Sequence, residues 1–198
     1  MVNEIGDNVQ RNWNKDWRKS VIVLSGGFDP IHIGHIRMFN EAKSLANPMG
    51  GELIVIINSD DFLEEKKGYV FMPFEERMEV IANLKAVDRV VASIDKDETV
   101  IETLRSLFED LSNKISIFAN GGDRKSREDV PEFTVCQQYG VGLLFGLGGE
   151  KTQASSNLVN NVWEKRYEQL SGKKLPSGGK VRVDDKRGNG KGDEGDSS

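Results

Sequence analysis

Apolar residues along this chain fall into two patterns. In one, they form short unbroken runs: Val21-Ile22-Val23-Leu24, Leu53-Ile54-Val55-Ile56-Ile57 and Ile115-Ser116-Ile117-Phe118-Ala119. In the other, they recur at three- and four-residue steps, as in Ile101, Leu104, Leu107, Phe108 and Leu111. The first pattern predicts strands buried on both faces, and the second predicts helices with one buried side. Strands are expected at 21–25, 53–57, 87–91, 115–119 and 141–145. Helices are expected at 33–46, from Pro73 onward, at 98–111, near 131–139 and at 156–170. On the first helix Ile36 and Phe39 face the sheet, joined by Ala42 and Ala46. On the second, Met78, Ile81 and Leu84 do. Strands alternating with helices predict an α/β fold with right-handed crossovers: a Rossmann-like, mostly parallel five-stranded sheet with helices on both faces.

Composition changes this picture at the two ends. Residues 1–19 have no clear period, although Trp13 and Trp17 are spaced for one side of a short helix. From residue 172 lysine, glycine and aspartate dominate, and Leu175, Val181 and Val183 are the only large aliphatics. Such a stretch buries too little to offset its ordering entropy. The expected organisation is an N-terminal arm at 1–19, one domain at 20–171 and a disordered polar tail at 172–198. The 198 residues suffice for one sizeable core, and the net charge of −5 supplies no basic footprint for nucleic acid. Cys136, the single cysteine, has no disulfide partner within the chain. Two histidines and one distant cysteine are too few for a zinc site. No apolar run reaches the length of a membrane span, and no signal peptide is read at the polar N-terminus, so a soluble cytoplasmic protein is expected.

The chemistry concentrates in Ser25-Gly26-Gly27-Phe28-Asp29-Pro30-Ile31-His32-Ile33-Gly34-His35, between the first strand and the first helix. A helix opening after a glycine-rich turn presents unpaired backbone N–H groups and the positive end of a dipole, which suits phosphate. Both histidines of the chain lie here, three residues apart, near one face of the helix entry. The stretch lacks the G-K-[ST] of a Walker A loop and the G-x-G-x-x-G of a dinucleotide fingerprint. It resembles the H-x-G-H signature of the cytidylyltransferase-like nucleotidyltransferases. The resemblance covers about residues 20–170 and implies that His32 and His35 contact the α-phosphate region. It also implies that Gly26, Gly27, Phe28 and Gly34 help hold the nucleotide. Asp29 positions substrate or metal, or only fixes the turn.

Three further segments extend the resemblance. Lys66-Lys67-Gly68 followed by Pro73-Phe74-Glu75-Glu76-Arg77 resembles the family's lysine loop and P-x-E-x-R helix start. Lys66 or Lys67 is then expected on triphosphate or acceptor oxygens, from a long polar loop at 58–68 acting as a mobile cover. Arg77 is expected near the phosphates or the substrate, or else paired with a carboxylate along its own helix. Asn120-Gly121-Gly122-Asp123 resembles the family's G-G-D turn, in which Gly121 and Gly122 admit the nucleotide and Asp123 binds sugar hydroxyls or orients a metal; an ordinary turn reads the same way. Ser155 and Ser156 fall where the family's hydroxyl residues hold the β- and γ-phosphates, with Ala154 departing from the pattern; a simple serine N-cap explains them equally.

These features imply transfer of CMP or AMP from CTP or ATP to a phosphorylated sugar or polyol, with release of pyrophosphate. The Asn58-Ser59-Asp60 segment and the strand at 87–91 look most like the glycerol-3-phosphate cytidylyltransferase and heptose-1-phosphate adenylyltransferase branch. Mg²⁺ is expected to accompany the triphosphate. The other reading is a nucleotide-binding module that has kept the fold and lost turnover. CTP against ATP, and monomer against homodimer, stay open. The resemblance implies a sheet ordered 3-2-1-4-5. The Gly121-Gly122 turn then faces the histidine turn across one cleft, at the reversal in strand order where open α/β sheets bind ligands.

Overall fold

The computed structural model describes residues 20–46, 48, 50–111, 115–121, 130–149 and 154–173. The Trp13/Trp17 segment and tail residues 174–198 lie outside that set. The elements are β1 (Val21–Gly26), α1 (Ile33–Ala46), β2 (Leu53–Ile57), α2 (Asp60–Lys67), α3 (Phe74–Ala82) and β3 (Arg89–Ala92). They continue with α4 (Ile101–Asp110), β4 (Ile115–Gly121), α5 (Phe133–Gln138), β5 (Gly142–Leu147) and α6 (Ser155–Ser171). The strands form one sheet in the order β3-β2-β1-β4-β5, and every neighbouring pair is parallel. The order reverses between β1 and β4, so β1 lies at the centre.

The unbroken apolar runs are explained by what each face meets. Ile22 and Leu24 of β1, with Leu53, Val55 and Ile57 of β2, pack on one face against Phe39, Ala42 and Ala46 of α1 and Ile81 of α3. Val21 and Val23, with Ile54 and Ile56, pack on the other face against Leu104, Leu107 and Phe108 of α4 and Val135 and Cys136 of α5. All five residues of β2 are fully buried. Each such aliphatic side chain contributes about 1.5–3 kcal/mol relative to exposure.

Element ends differ from the sequence expectation by a few residues. β3 begins at Arg89, just after Asp88, whose carboxylate accepts hydrogen bonds from Leu53 N and Lys43 Nζ. The larger correction concerns residues 58–68. They are not a long polar loop, because 60–67 form α2, capped at both ends. The Ser59 side chain accepts from Phe62 N, and Gly68 closes the helix in the left-handed conformation. Asp60 and Asp61 in the first turn and Lys66 and Lys67 in the last complement the helix dipole.

By compactness the chain divides into residues 1–160 and 161–198. The sheet, α1 to α5 and the start of α6 belong to the first unit. In the second, the described residues continue α6 as a helix on which Val162, Trp163, Tyr167 and Leu170 are exposed. Among the described residues, no helix is long and apolar enough to cross a membrane.

Candidate active site

The C-terminal ends of β1, β2, β4 and β5 border a cleft of about 370 Å³. Gly26, Gly27, Phe28, His32, Gly34 and His35 line it from the β1–α1 turn. Phe62, Lys66 and Lys67 line it from α2, Asn120 and Gly121 from β4, and Ser155 and Ser156 from the start of α6. Gly122 and Asp123 lie outside the described residues, as does Lys151-Thr152.

Helix α1 starts in an unusual way. The His32 carbonyl accepts from His35 N and Ile36 N, which places His32 at the N-cap position. The His32 ring accepts at Nδ1 from Gly34 N at 3.1 Å, and the His35 ring accepts at Nδ1 from His32 N at 3.3 Å. This is the reciprocal pattern of a capping box, built from two imidazoles in place of a hydroxyl and a carboxylate. The rings stack with centroids 3.8 Å apart. A Cβ on Gly34 would meet the His32 ring at 2.9 Å, so only glycine lets that ring fold back over the helix start. An Nδ1 that accepts a backbone N–H carries no proton, so the neutral ring carries its proton on Nε2. Both neutral rings therefore carry Nε2–H on the side away from the helix backbone.

The two glycines ahead of them also answer to packing. A Cβ on Gly26 would meet the Phe28 ring at 2.9 Å, and one on Gly27 would meet Leu63 Cδ2 at 2.5 Å. Leu63 is the one buried residue of α2, so Gly27 is where that helix seats on the turn. Phe28 is held at φ 52°, a left-handed conformation that costs a non-glycine residue about 1–3 kcal/mol. Burial of its ring edge-on to His35 and Phe39, each 5.1 Å away between centroids, offsets that.

The structure places Asp29 and Arg77 beneath the cleft, where neither lines it. Asp29 is fully buried, and its carboxylate accepts from Phe71 N at 2.9 Å and Met72 N at 2.6 Å. It thus ties the segment ahead of α3 to the histidine turn. Arg77 is 1% exposed. Its Nε donates to the Met72 carbonyl, Nη1 to the carbonyls of Gly27 and Asn58, and Nη2 to Asp60. The guanidinium is spent on protein partners. Its carboxylate partner comes from α2, not from its own helix. One side chain thereby joins the glycine turn, the end of β2, the start of α2 and the approach to α3.

The lysines differ from each other. Lys67 is half-buried and donates from Nζ to the Asp29 carbonyl at 3.0 Å. Burial lowers its pKa, with the neighbouring Arg77 and Lys66 charges adding to the fall and Asp29 opposing it. Lys66 is exposed, and its Nζ lies 5.0 Å from the Phe62 ring centroid. At the start of α6, Ser155 Oγ donates to the Pro30 carbonyl at 2.9 Å. That hydroxyl joins α6 to the histidine turn, while Ser156 is exposed.

Glu132 is a cleft residue the sequence reading passed over. It is 2% exposed and accepts from Val100 N at 3.2 Å, across from α5 to α4. A glutamate just before a helix reads from sequence as a helix-dipole charge, so nothing local marked it.

The family model described as "Cytidylyltransferase-like" matches residues 23–128. The Bifunctional protein HldE of Hahella chejuensis is 34% identical over 125 residues, covering 62% of this chain and 23% of that protein. The FAD synthase of Thermococcus sibiricus is 43% identical over 76 residues, covering 37% of this chain and 49% of that protein. The chain thus spans less than two thirds of the length of these curated relatives. Among solved structures, a lipopolysaccharide core biosynthesis protein from Thermoplasma volcanium superposes with a TM-score of 0.51 at 23% identity. That match covers 64% of this chain and 94% of that one, a likeness of fold.

Proposed function

The chain belongs to the cytidylyltransferase-like family of nucleotidyltransferases, and on that premise we propose that it transfers CMP or AMP from CTP or ATP to a small phosphorylated sugar or polyol. An oxygen of the acceptor phosphate attacks the α-phosphorus of the triphosphate. The new P–O–P linkage forms as the bond to the β-phosphate breaks, and pyrophosphate leaves with that electron pair. A phosphate monoester with a second pKa of about 6 is already largely dianionic at neutral pH, so no strong general base is required. The protein's task is to hold two anions in line and to stabilise the charge on the reacting phosphoryl group.

The observation that carries this reading is the imidazole capping box. It directs two Nε2–H donors away from the backbone at the positive end of α1, in the same cleft as Lys66 and Lys67. His32 and His35 are assigned to the α-phosphate, and the start of α6 with Ser156 to the outer phosphates. Mg²⁺ bound with the triphosphate would supply further charge neutralisation. Glu98 and Glu132 are the carboxylates among the described lining residues with the oxygen chemistry it favours.

The test is pyrophosphate release with CTP or ATP against a panel of phosphorylated acceptors, with products read by mass spectrometry. A nucleoside diphosphate-linked product is expected. Nucleotide binding without turnover on any acceptor would instead identify the fold-retaining, catalytically impaired module.

A further inference from the structure

On the α2 side of the cleft, Asn58 ends β2 with its backbone fully committed. Its N–H donates to the Gly26 carbonyl at 3.1 Å and its carbonyl accepts from Arg77 Nη1 at 2.9 Å. The residue is 5% exposed and lines the cleft. Yet its amide oxygen has no hydrogen-bond donor among the described residues. A buried amide held this firmly and left unsatisfied calls for an explanation, since the great majority of buried polar groups are paired. The face of Phe62 is occupied by the Lys66 ammonium, and the ring of Phe28 is buried among its neighbours. A hydroxyl entering along this wall finds an amide.

We propose that Asn58 is a specificity-determining residue, which reads a hydroxyl of a polyol or sugar phosphate acceptor. The inference rests on the transferase reading above and assigns the acceptor's contact within it. A hydroxyl both donates and accepts, so it satisfies the amide whichever end is presented. A site built around such a group discriminates against the analogue that lacks it, because the protein group is then left buried and unpaired. Arg77 contributes by fixing the backbone on both sides of the contact, at Gly27 and at Asn58.

The experiment compares wild type with Asn58→Leu, which keeps the volume and removes the polar group, and with Asn58→Ala. The acceptor pairs are glycerol 3-phosphate against 3-hydroxypropyl phosphate, and glucose 1-phosphate against its 2-deoxy analogue. Wild type should favour the hydroxylated member of a pair by about tenfold in kcat/KM, carried mainly by KM. Both variants should lose that preference while the Kd for nucleoside triphosphate stays within about twofold. A preference kept in both variants overturns the proposal. So does a loss that falls equally on triphosphate binding, which would mark a structural role. If no acceptor yields pyrophosphate, the transferase reading fails separately. Calorimetry of the same acceptor pairs with an α,β-methylene triphosphate then decides Asn58 by whether the hydroxyl preference in Kd depends on it.

Discussion

Helix α1, with His32 at its N-cap and His35 in its first turn, has 14 residues, of which Met38, Phe39, Ala42 and Ala46 are buried. Helix α2 carries the lysines on 8 residues and buries only Leu63. The histidine wall is therefore held by apolar packing on the sheet. The lysine wall is held by one leucine seated on Gly27, by Arg77 with its carbonyl and carboxylate partners, and by Lys67 on the Asp29 carbonyl. Packing is nearly indifferent to local charge, whereas a hydrogen-bonded, partly ionic seat is sensitive to it. The same cleft thus has one wall that resists change and one whose position depends on a few polar contacts.

The comparison is broken most severely at the histidines, where structure and chemistry can be separated. Glutamine at position 35 can accept from the His32 N–H as capping boxes usually do, but it lacks the imidazole. His35→Gln should leave the melting temperature near wild type and lower turnover by about 10²–10⁴-fold. His35→Ala should lose the cap as well, about 1 kcal/mol of stability by denaturant titration, with nucleotide affinity falling much less than turnover. Equal losses of affinity and turnover in His35→Gln would reduce the histidine to a binding contact.

The next break is at Arg77. Arg77→Met fills similar volume but leaves the carbonyls of Gly27, Asn58 and Met72 without this donor and Asp60 without its cation. A loss of about 3 kcal/mol in urea unfolding is expected, confined to variants that remove the guanidinium geometry. Arg77→Lys should recover little, because one ammonium cannot reach four acceptors from a fixed fork. A loss below about 1 kcal/mol would mean that α2 is seated by something else. A smaller effect tests that seat directly. Gly27→Ala drives a methyl into Leu63 and should cost about 1–3 kcal/mol. In the Gly27→Ala, Leu63→Ala pair the two losses should be less than additive, which a double-mutant cycle measures.

The contrast between the walls also separates what could be read from sequence from what could not. The apolar runs at 21–24 and 53–57 announced strands buried on both faces, and the turn between β1 and α1 carried its motif openly. Helix α2 was missed because Asp60-Asp61-Phe62-Leu63-Glu64-Glu65-Lys66-Lys67 has no apolar period. Its signals were in the caps: serine before two aspartates, lysines in the last turn, then glycine. For Arg77 and Asp29 the sequence leaves a ligand contact and a structural role both open, because their partners lie far away in sequence. Asp29 meets Phe71 and Met72, and Arg77 meets Gly27, Asn58 and Asp60. No local pattern encodes such contacts. Gly27 is a similar case, since its neighbour Leu63 becomes visible only once α2 is folded.

The mildest perturbation sharpens the lysine wall without altering its packing, through pH. Burial lowers the pKa of Lys67 in the folded protein, while in the unfolded chain it titrates near 10.5. Between the lowered folded value and 10.5 the unfolded state binds more protons, so the contribution of Lys67 to stability rises with pH across that window. Below the window both states are protonated, and the charged ammonium is held in its partly buried place at a constant disadvantage. Tyr69 works in the opposite sense. Burial and the Asp29 charge raise its pKa above 10, so above pH 10 its folded state holds the proton longer and stability falls. In a Tyr69→Phe background, the melting temperature measured from pH 8 to 10.5 should therefore show a small rise relative to the same scan of Tyr69→Phe, Lys67→Met. The stability of the lysine-containing protein relative to Lys67→Met should therefore rise as pH increases through that window. Parallel scans would show that the Asp29 carbonyl and carboxylate compensate the buried charge in full. The lysine wall would then be as indifferent to charge as the histidine wall.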